Sequence, residues 1–144
     1  TMLHHISTTE YLNYESGKFS KSRNIGVFGN DARDSGIPAS VWRYYLLSVR
    51  PESADACFSW DDFQLKTNTE LLANLGNLAS RVLRFATAKW EGVVPVGEEA
   101  DEALDGRLVQ AVNQELVNYV QAMEAVHLKA GLKAAMTISA LGNG

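Results

Sequence analysis

Residues 59–90 read "SWDDFQLKTNTELLANLGNLASRVLRFATAKW" and carry the longest helical pattern in the chain. The apolar residues in this stretch recur close to the period of an α-helix, about 3.6 residues, and they are Phe63, Leu71, Leu72, Leu75, Leu78, Val82 and Phe85. Ser59 stands in the N-cap position, and Asp61 and Asp62 place acids in the first turn, where the helix dipole favours negative charge. The pattern predicts one long helix that ends near Trp90 and buries these apolar residues.

Two further helices are predicted after this one, and one before it. An apolar stripe marks the first of the later helices, at Leu104, Leu108, Val112, Leu116, Val120 and Met123. The last helix reads "LKAGLKAAMTISAL", residues 128–141. The earlier helix lies between Pro38 and Pro51, because proline suits a first helical turn and stops a helix when it comes later. Three helices from residue 59 onward form an array with one face lacking a partner.

The residues before the helices predict extended structure and loops. Residues 2–14, "MLHHISTTEYLNY", are rich in β-branched and aromatic residues and predict one or two short strands. Residues 15–36 contain several glycines and predict a loop, and residues 51–58 predict a connection. The sequence therefore predicts a mainly α protein, in which a small α/β connecting segment is followed by part of an antiparallel helical bundle.

Aromatic residues are the expected packing anchors of this fold. Trp42, Tyr44 and Tyr45 are predicted to lie in the core, where they hold the earlier helix against the long one. Trp60 and Trp90 are expected to pack near the two ends of the long helix. The single cysteine, Cys57, is expected to be a small packed apolar residue.

Composition narrows the class of protein. The chain has 144 residues, of which 46% are hydrophobic, and a net charge of −4, which argues against nonspecific coating of nucleic acid. One cysteine excludes an intramolecular disulfide and a cysteine-pair zinc site, and no apolar run approaches the ~20 residues that span a bilayer. The histidines form no ligand pair with a nearby acid, so no metal site and no membrane partner are predicted. A reducing, cytoplasmic location is expected.

A basic loop precedes the helices and predicts an anion site. Residues 16–23, "SGKFSKSR", combine three cations with hydroxyls and a glycine, and no carboxylate occurs between Ser16 and Asn30. Within this loop, Lys18-Phe19-Ser20-Lys21-Ser22 resembles the Lys-x-Ser-Lys-Ser signature of class I aminoacyl-tRNA synthetases, with phenylalanine where the family more often has methionine. The neighbouring stretches "TEYLNYESGKFSKSRNIGVFG", "GIPASVWRYYLL", "FSWDDF" and "LLANLGNLASR" resemble methionyl-tRNA synthetases, closest to the cytosolic type.

The resemblance implies a function for each part of the chain. Residues 1–58 would be the end of a catalytic domain, with the signature loop and a stem-contact-like connecting segment, and residues 59–144 a partial helical anticodon-binding domain. Lys21, assisted by Lys18, would stabilise negative charge on the pyrophosphate that leaves ATP, and Ser20 and Ser22 would offer hydroxyls to the phosphates. The implied partners are tRNA(Met), methionine and ATP with Mg²⁺, and neither ATP nor Mg²⁺ is expected to stay bound to this piece alone.

The resemblance also implies that Asn77 and Arg81 contact the anticodon. The two residues are four apart and share one face of the predicted helix, and their amide and guanidinium groups suit base edges. Family members commonly add an asparagine one turn earlier. This chain has Ala73 there, with Asn74 on another face, which puts one base contact in doubt.

The residues also leave alternatives open. The family's second ATP signature, His-x-Gly-His, does not occur in the sequence, so the resemblance implies an excised piece of a longer enzyme that is inactive alone. A relative that charges cysteine or another amino acid is a second interpretation, although "NLASR" favours methionine. A third is a noncatalytic helical module that binds tRNA or protein and keeps the loop as a relic.

Overall fold

The computed structural model describes residues 2, 4–15, 17–97 and 105–144. In chain order the elements are β1 (Leu12–Tyr14), a 3-10 turn (Lys21–Arg23), α1 (Gly29–Asp34), α2 (Ala39–Ser48), β2 (Ala56–Phe58), α3 (Trp60–Lys66), a π-helical segment (Thr67–Gly76), α4 (Asn77–Trp90), α5 (Gly106–Glu124) and α6 (Leu128–Asn143). The fold is mainly α with a small α/β part, as the sequence predicts. The expected stripe position Leu104 lies outside the described residues.

The α/β part is a parallel pair of short strands joined by helices. β1 pairs with β2 in the register Leu12 with Ala56 and Tyr14 with Phe58, and α1 and α2 lie in the connection between them. Parallel strands need such a crossover, because a tight turn would make them antiparallel. Both β2, predicted as part of a connection, and α1, predicted as loop, are elements that the sequence pattern missed.

The core is a cluster of aromatic rings where α2, β2 and α3 meet. Trp42, Tyr45, Phe58 and Phe63 are all buried, and the Trp42 and Phe63 ring centroids lie 4.7 Å apart. The Tyr45 hydroxyl donates to Asp62 Oδ2 at 3.0 Å. Burial, followed by the nearby Asp62 carboxylate, raises the pKa of Tyr45 to about 12, although its contact with Ser59 acts in the opposite direction. The predicted core positions Trp42 and Tyr45 are confirmed.

The predicted long helix is continuous from Trp60 to Trp90, but its middle is π-helical over the ten residues Thr67–Gly76. A π turn closes its hydrogen bond on i+5 and takes in more residues than an α turn, so the buried stripe shifts along the sequence. Phe63 is buried and Leu71 and Leu78 are half-buried, in agreement with the predicted stripe. The prediction is wrong at Leu72, Leu75, Val82 and Phe85, which are exposed.

α5 and α6 form an antiparallel pair that packs closely at one glycine. A Cβ built at Gly131 would lie 2.6 Å from Met123 Sδ, so the glycine lets the Met123 side chain pack directly against the α6 backbone. The predicted buried stripe of α5 is largely solvent-facing, with Leu108, Leu116 and Val120 each 45–50% exposed. The stripe faces the side on which the described residues supply no further helix. No helix within the described residues is both long and apolar enough to cross a bilayer.

Carboxylates from distant positions cap two of the helices. Glu15 Oε1 accepts a hydrogen bond from Trp60 N at 2.9 Å, and Glu52 Oε1 accepts one from Lys129 N at 3.0 Å. Ser59 occupies the N-cap position of α3, as predicted, but its side chain makes no capping bond. Trp60 also donates from Nε1 to the Tyr14 hydroxyl at 3.1 Å. The first residue of the long helix is therefore bonded to Tyr14 and Glu15, which directly precede the basic loop.

Cys57 does not pack as predicted. It is exposed on β2, and its Sγ donates to Glu15 O at 2.8 Å. Alternation along the strand sends Phe58 into the core and Cys57 to the other face. The two-stranded sheet has no layer there among the described residues, so the thiol stays in contact with solvent.

Candidate functional site

The basic loop is held by two backbone hydrogen-bonded pairs. Tyr14 and Gly17 exchange bonds of 2.8 and 2.9 Å, and Ser20 and Ile25 exchange bonds of the same lengths. Asn24 adopts a left-handed conformation, φ 52°, which asparagine tolerates better than most residues. The loop is thus a small closed turn that presents its tip to solvent.

Phe19 anchors this turn from within. Its half-buried ring lies 5.1 Å from the Tyr14 ring and 6.1 Å from the Phe28 ring. A Cβ at Gly26 would fall 2.3 Å from Phe19 Cδ1, and Gly26 has φ 137°, so only glycine fits beneath the ring. The variable position of the Lys-x-Ser-Lys-Ser pattern is therefore the one whose ring packs within the turn, and both lysines are exposed.

The predicted phosphate-binding side chains all lie in this turn. Lys18, Lys21 and Ser22 are exposed and Ser20 is half-buried. The Ser20 and Ser22 hydroxyl oxygens are 3.4 Å apart, and Lys18 Nζ lies 5.7 Å from the centroid of the Tyr11 ring. Neither lysine forms an ion pair within the described part of the chain, so both ammonium groups are available to an anion.

A fifth side chain of the turn was not among the predicted site residues. Arg23 Nε donates to Ser20 Oγ at 3.2 Å, which fixes the orientation of that hydroxyl. The guanidinium is exposed and adds a third cation to the turn. The signal was present in the sequence, since Arg23 directly follows the Lys-x-Ser-Lys-Ser pattern.

Asn77 and Arg81 lie far from this loop, in the first turns of α4. Trp60, at the start of the long helix, contacts Glu15 just before the loop. The distance from Trp60 to Arg81 along the helix axis is roughly 30 Å, at ~1.5 Å per residue. Both side chains are exposed, as predicted for residues that contact a ligand. Arg81 Nη1 donates to Asn143 O at 3.3 Å, which ties the guanidinium to the end of α6.

The neighbouring positions Ala73 and Asn74 have different surroundings. Ala73 is exposed and offers no polar group. Asn74 Nδ2 donates to Met136 O at 3.0 Å, and Asn143 Nδ2 donates to Asn74 Oδ1 at 3.1 Å. Asn74 thus binds α6 to the long helix and is engaged within the fold.

Comparison with known proteins identifies the family. A protein-family model described as tRNA synthetases class I (M) matches residues 1–83. The cytoplasmic methionine–tRNA ligase of Saccharomyces cerevisiae is 59% identical over 143 residues, which are 99% of this chain and 19% of that protein. The chain belongs to the class I methionyl-tRNA synthetase family.

Other relatives agree with this assignment. The cytoplasmic methionine–tRNA ligase of Arabidopsis thaliana is 53% identical over 148 residues, 99% of this chain and 19% of that protein. The corresponding protein of Mus musculus is 52% identical over 143 residues, 99% of this chain and 16% of that protein. The chain therefore spans about a sixth to a fifth of the length of these relatives.

Two aromatic rings also lie beside Arg81. Phe85 and Trp90 stand edge to face with centroids 5.2 Å apart, and both are about half exposed. They line a shallow apolar groove with Arg81 and Val82. Trp90 was predicted to be a packing anchor, and its ring packs edge to face against the Phe85 ring while the residue remains 42% exposed.

Proposed function

We propose that the chain supplies the ATP-phosphate loop and part of the anticodon-binding surface of a methionine–tRNA ligase. Such an enzyme activates methionine with ATP and Mg²⁺ and transfers it to tRNA(Met). The observation that carries the proposal is the turn of residues 17–26, which displays Lys18, Lys21 and two hydroxyls with no carboxylate paired to them in the described part of the chain. The names of the relatives support methionine as the amino acid and the cytoplasm as the location.

The loop's chemistry follows from the charge that develops during adenylate formation. The methionine carboxylate attacks the α-phosphate, the bond to pyrophosphate breaks, and negative charge accumulates on the leaving group. An ammonium group placed there stabilises the transition state more than the ground state, which raises the rate of the chemical step. In our proposal Lys21 makes this contact, Lys18 assists it, and Ser20 and Ser22 donate to phosphate oxygens. The turn fits ATP because it offers cations and hydroxyl donors to an anion.

The same proposal divides the chain into two parts. Residues 1–58 belong to the end of the catalytic domain and the connecting segment, and residues 59–144 to the anticodon-binding domain. In the second part Asn77 and Arg81 read base edges, since an exposed amide and an exposed guanidinium offer donors and an acceptor in fixed geometry. The aromatic rings of Phe85 and Trp90 would offer such a base an apolar surface.

A chimeric enzyme tests the proposal. In the S. cerevisiae ligase, the 143 matched residues are replaced by this chain, and methionine-dependent pyrophosphate exchange and tRNA charging are measured. We expect the chimera to be active and the isolated chain to be inactive. Lys21→Ala in the chimera should lower the rate of adenylate formation by about 10²- to 10³-fold, with little change in methionine affinity.

Lys89→Ala provides the matched control, because Lys89 is an exposed lysine at the other end of the long helix. It should leave pyrophosphate exchange unchanged. A chimera without exchange activity would contradict the function, and a Lys21→Ala variant that lost only methionine affinity would contradict the role of Lys21.

A further inference from the structure

A second basic groove lies between α2, the long helix and α6, outside both sites described above. The side chains that give the groove its character are Tyr44, Lys66, Glu70, Asn74, Lys129 and Lys133. We call it the α6 groove. It contains three lysines and one glutamate, and therefore has a net positive charge in a chain whose overall charge is −4.

The two lysines on α6 are not neutralised by the fold. Lys129 and Lys133 are four residues apart, so their side chains are neighbours on one face of the helix and repel each other. Leu128–Asn143 contains no acid, and neither ammonium group lies within ion-pair distance of a carboxylate in the described ranges. An anion bound between the two lysines would remove this repulsion.

The one carboxylate in the groove is already engaged. The Tyr44 hydroxyl donates to Glu70 Oε2, and Lys66 Nζ lies 3.7 Å from Glu70 Oε1. Burial, followed by the hydrogen bond to Glu70, raises the pKa of Tyr44, so its hydroxyl remains a donor. An anion that enters the groove would thus contact the α6 lysines. Its repulsion from Glu70 is weakened, because that carboxylate already interacts with Tyr44 and Lys66.

The α6 groove is continuous with the surface that carries Arg81. Asn74 lines the groove and accepts a bond from Asn143 Nδ2, and the Asn143 carbonyl accepts the bond from Arg81. Lys66 and Arg81 are separated by roughly 20 Å along the long helix, at ~1.5 Å per residue. An elongated polyanion that reaches Arg81 could therefore follow the seam of the two helices to the lysines of the α6 groove.

We propose that the α6 groove binds backbone phosphates of the same RNA whose bases Asn77 and Arg81 read. This inference rests on the proposed function, because it takes the RNA from there. Lys129 and Lys133 contact phosphate oxygens, while Glu70 stays hydrogen-bonded to Tyr44 and paired with Lys66. Phosphate contacts of this kind fix the position of an RNA and carry no sequence information.

Binding of tRNA to the chimera at several salt concentrations tests the groove. We compare Lys129→Gln, Lys133→Gln and the double variant, which remove the charges and keep a flexible polar side chain. Each lost phosphate contact should lower the slope of log affinity against log salt by about 0.7 to 0.9. At about 0.1 M salt this corresponds to a roughly fivefold to eightfold loss of affinity per contact. The loss should be equal for tRNA(Met) and for a tRNA with an altered anticodon.

Lys89→Gln is the control, since it removes one exposed lysine outside the groove and should leave the slope unchanged. Pyrophosphate exchange, which needs no tRNA, separates this inference from the proposed function. If exchange is intact and the double variant binds tRNA with unaltered affinity and slope, the groove assignment is wrong and the function stands. A loss confined to the cognate anticodon would also overturn it. If exchange fails but the slope falls, the groove binds RNA in a protein of another function.

Discussion

At the scale of single residues, side chains that pack and side chains that can contact a ligand occur at neighbouring positions of the same segment. In the basic turn Phe19 is held between the Tyr14 and Phe28 rings, whereas Lys18 directly before it is exposed. Arg23 contributes a charge and also orients Ser20 through a 3.2 Å bond. The same separation occurs on α4, where Leu78 is half-buried and its neighbours Asn77 and Arg81 are exposed.

Replacement of Arg81 tests the reading of the anticodon at this scale. Loss of a good base contact costs about 1–3 kcal/mol, so Arg81→Ala in the chimera should lower charging of tRNA(Met) by roughly tenfold to a hundredfold. Pyrophosphate exchange should not change. Arg84→Ala is the matched control, because Arg84 is also exposed on α4 and is proposed to contact at most phosphate. It should weaken cognate and altered tRNA alike, and the same result for Arg81→Ala would disprove the anticodon contact.

At the scale of elements, the long helix departs from the simple periodic pattern. The sequence predicts a helix over residues 59–90, and the structure confirms it, but the π-helical segment widens the turns before Asn77. The half-buried positions in this region, among them Glu70, Leu71 and Asn74, therefore follow each other at spacings that a regular α-helix does not give. This shift turns Asn74 toward α6 and leaves Ala73 and Leu72 in solvent.

The start of this helix supplies a prediction about stability. Glu15→Ala removes the carboxylate that accepts from Trp60 N, so the chain should lose about 0.5–2 kcal/mol of unfolding free energy in urea denaturation. Ser59→Ala is the control that distinguishes the two caps, since the Ser59 side chain makes no capping bond and its loss should change stability by less than about 0.5 kcal/mol. A larger effect at Ser59 than at Glu15 would show that the local residue caps the helix.

At the scale of the whole molecule, the aromatic core is confined to the first part of the chain and the later helices bury less. Four buried aromatic residues hold α2, β2 and α3 together, whereas α4 and α5 leave their apolar stripes about half exposed. The sequence predicts a helical array with an uncovered face, and the exposed stripe of α5 in the described residues agrees with that expectation. Apolar patches of this kind favour association with another surface.

Self-association of the isolated chain is the expected consequence. Sedimentation velocity should show species larger than a monomer as the concentration rises, and Phe85→Lys should shift the distribution toward monomer, because Phe85 is 52% exposed in the apolar groove of α4. Thr87→Lys adds the same charge at an exposed position that does not line this groove and should have little effect. A monomer at every concentration would contradict the prediction.

The sequence by itself determined the four longer helical stretches, the basic turn and the family, because these depend on local periodicity, on proline and glycine positions and on a short motif. It also predicted the exposure of Asn77 and Arg81. Only the tertiary structure decided which residues meet across long separations. β2 forms because β1 pairs with it 44 residues away, and α3 is capped by Glu15 from 45 residues away. Cys57 and Leu72 are exposed for the same reason: a residue is buried only where another element packs against it, and no local pattern specifies that element.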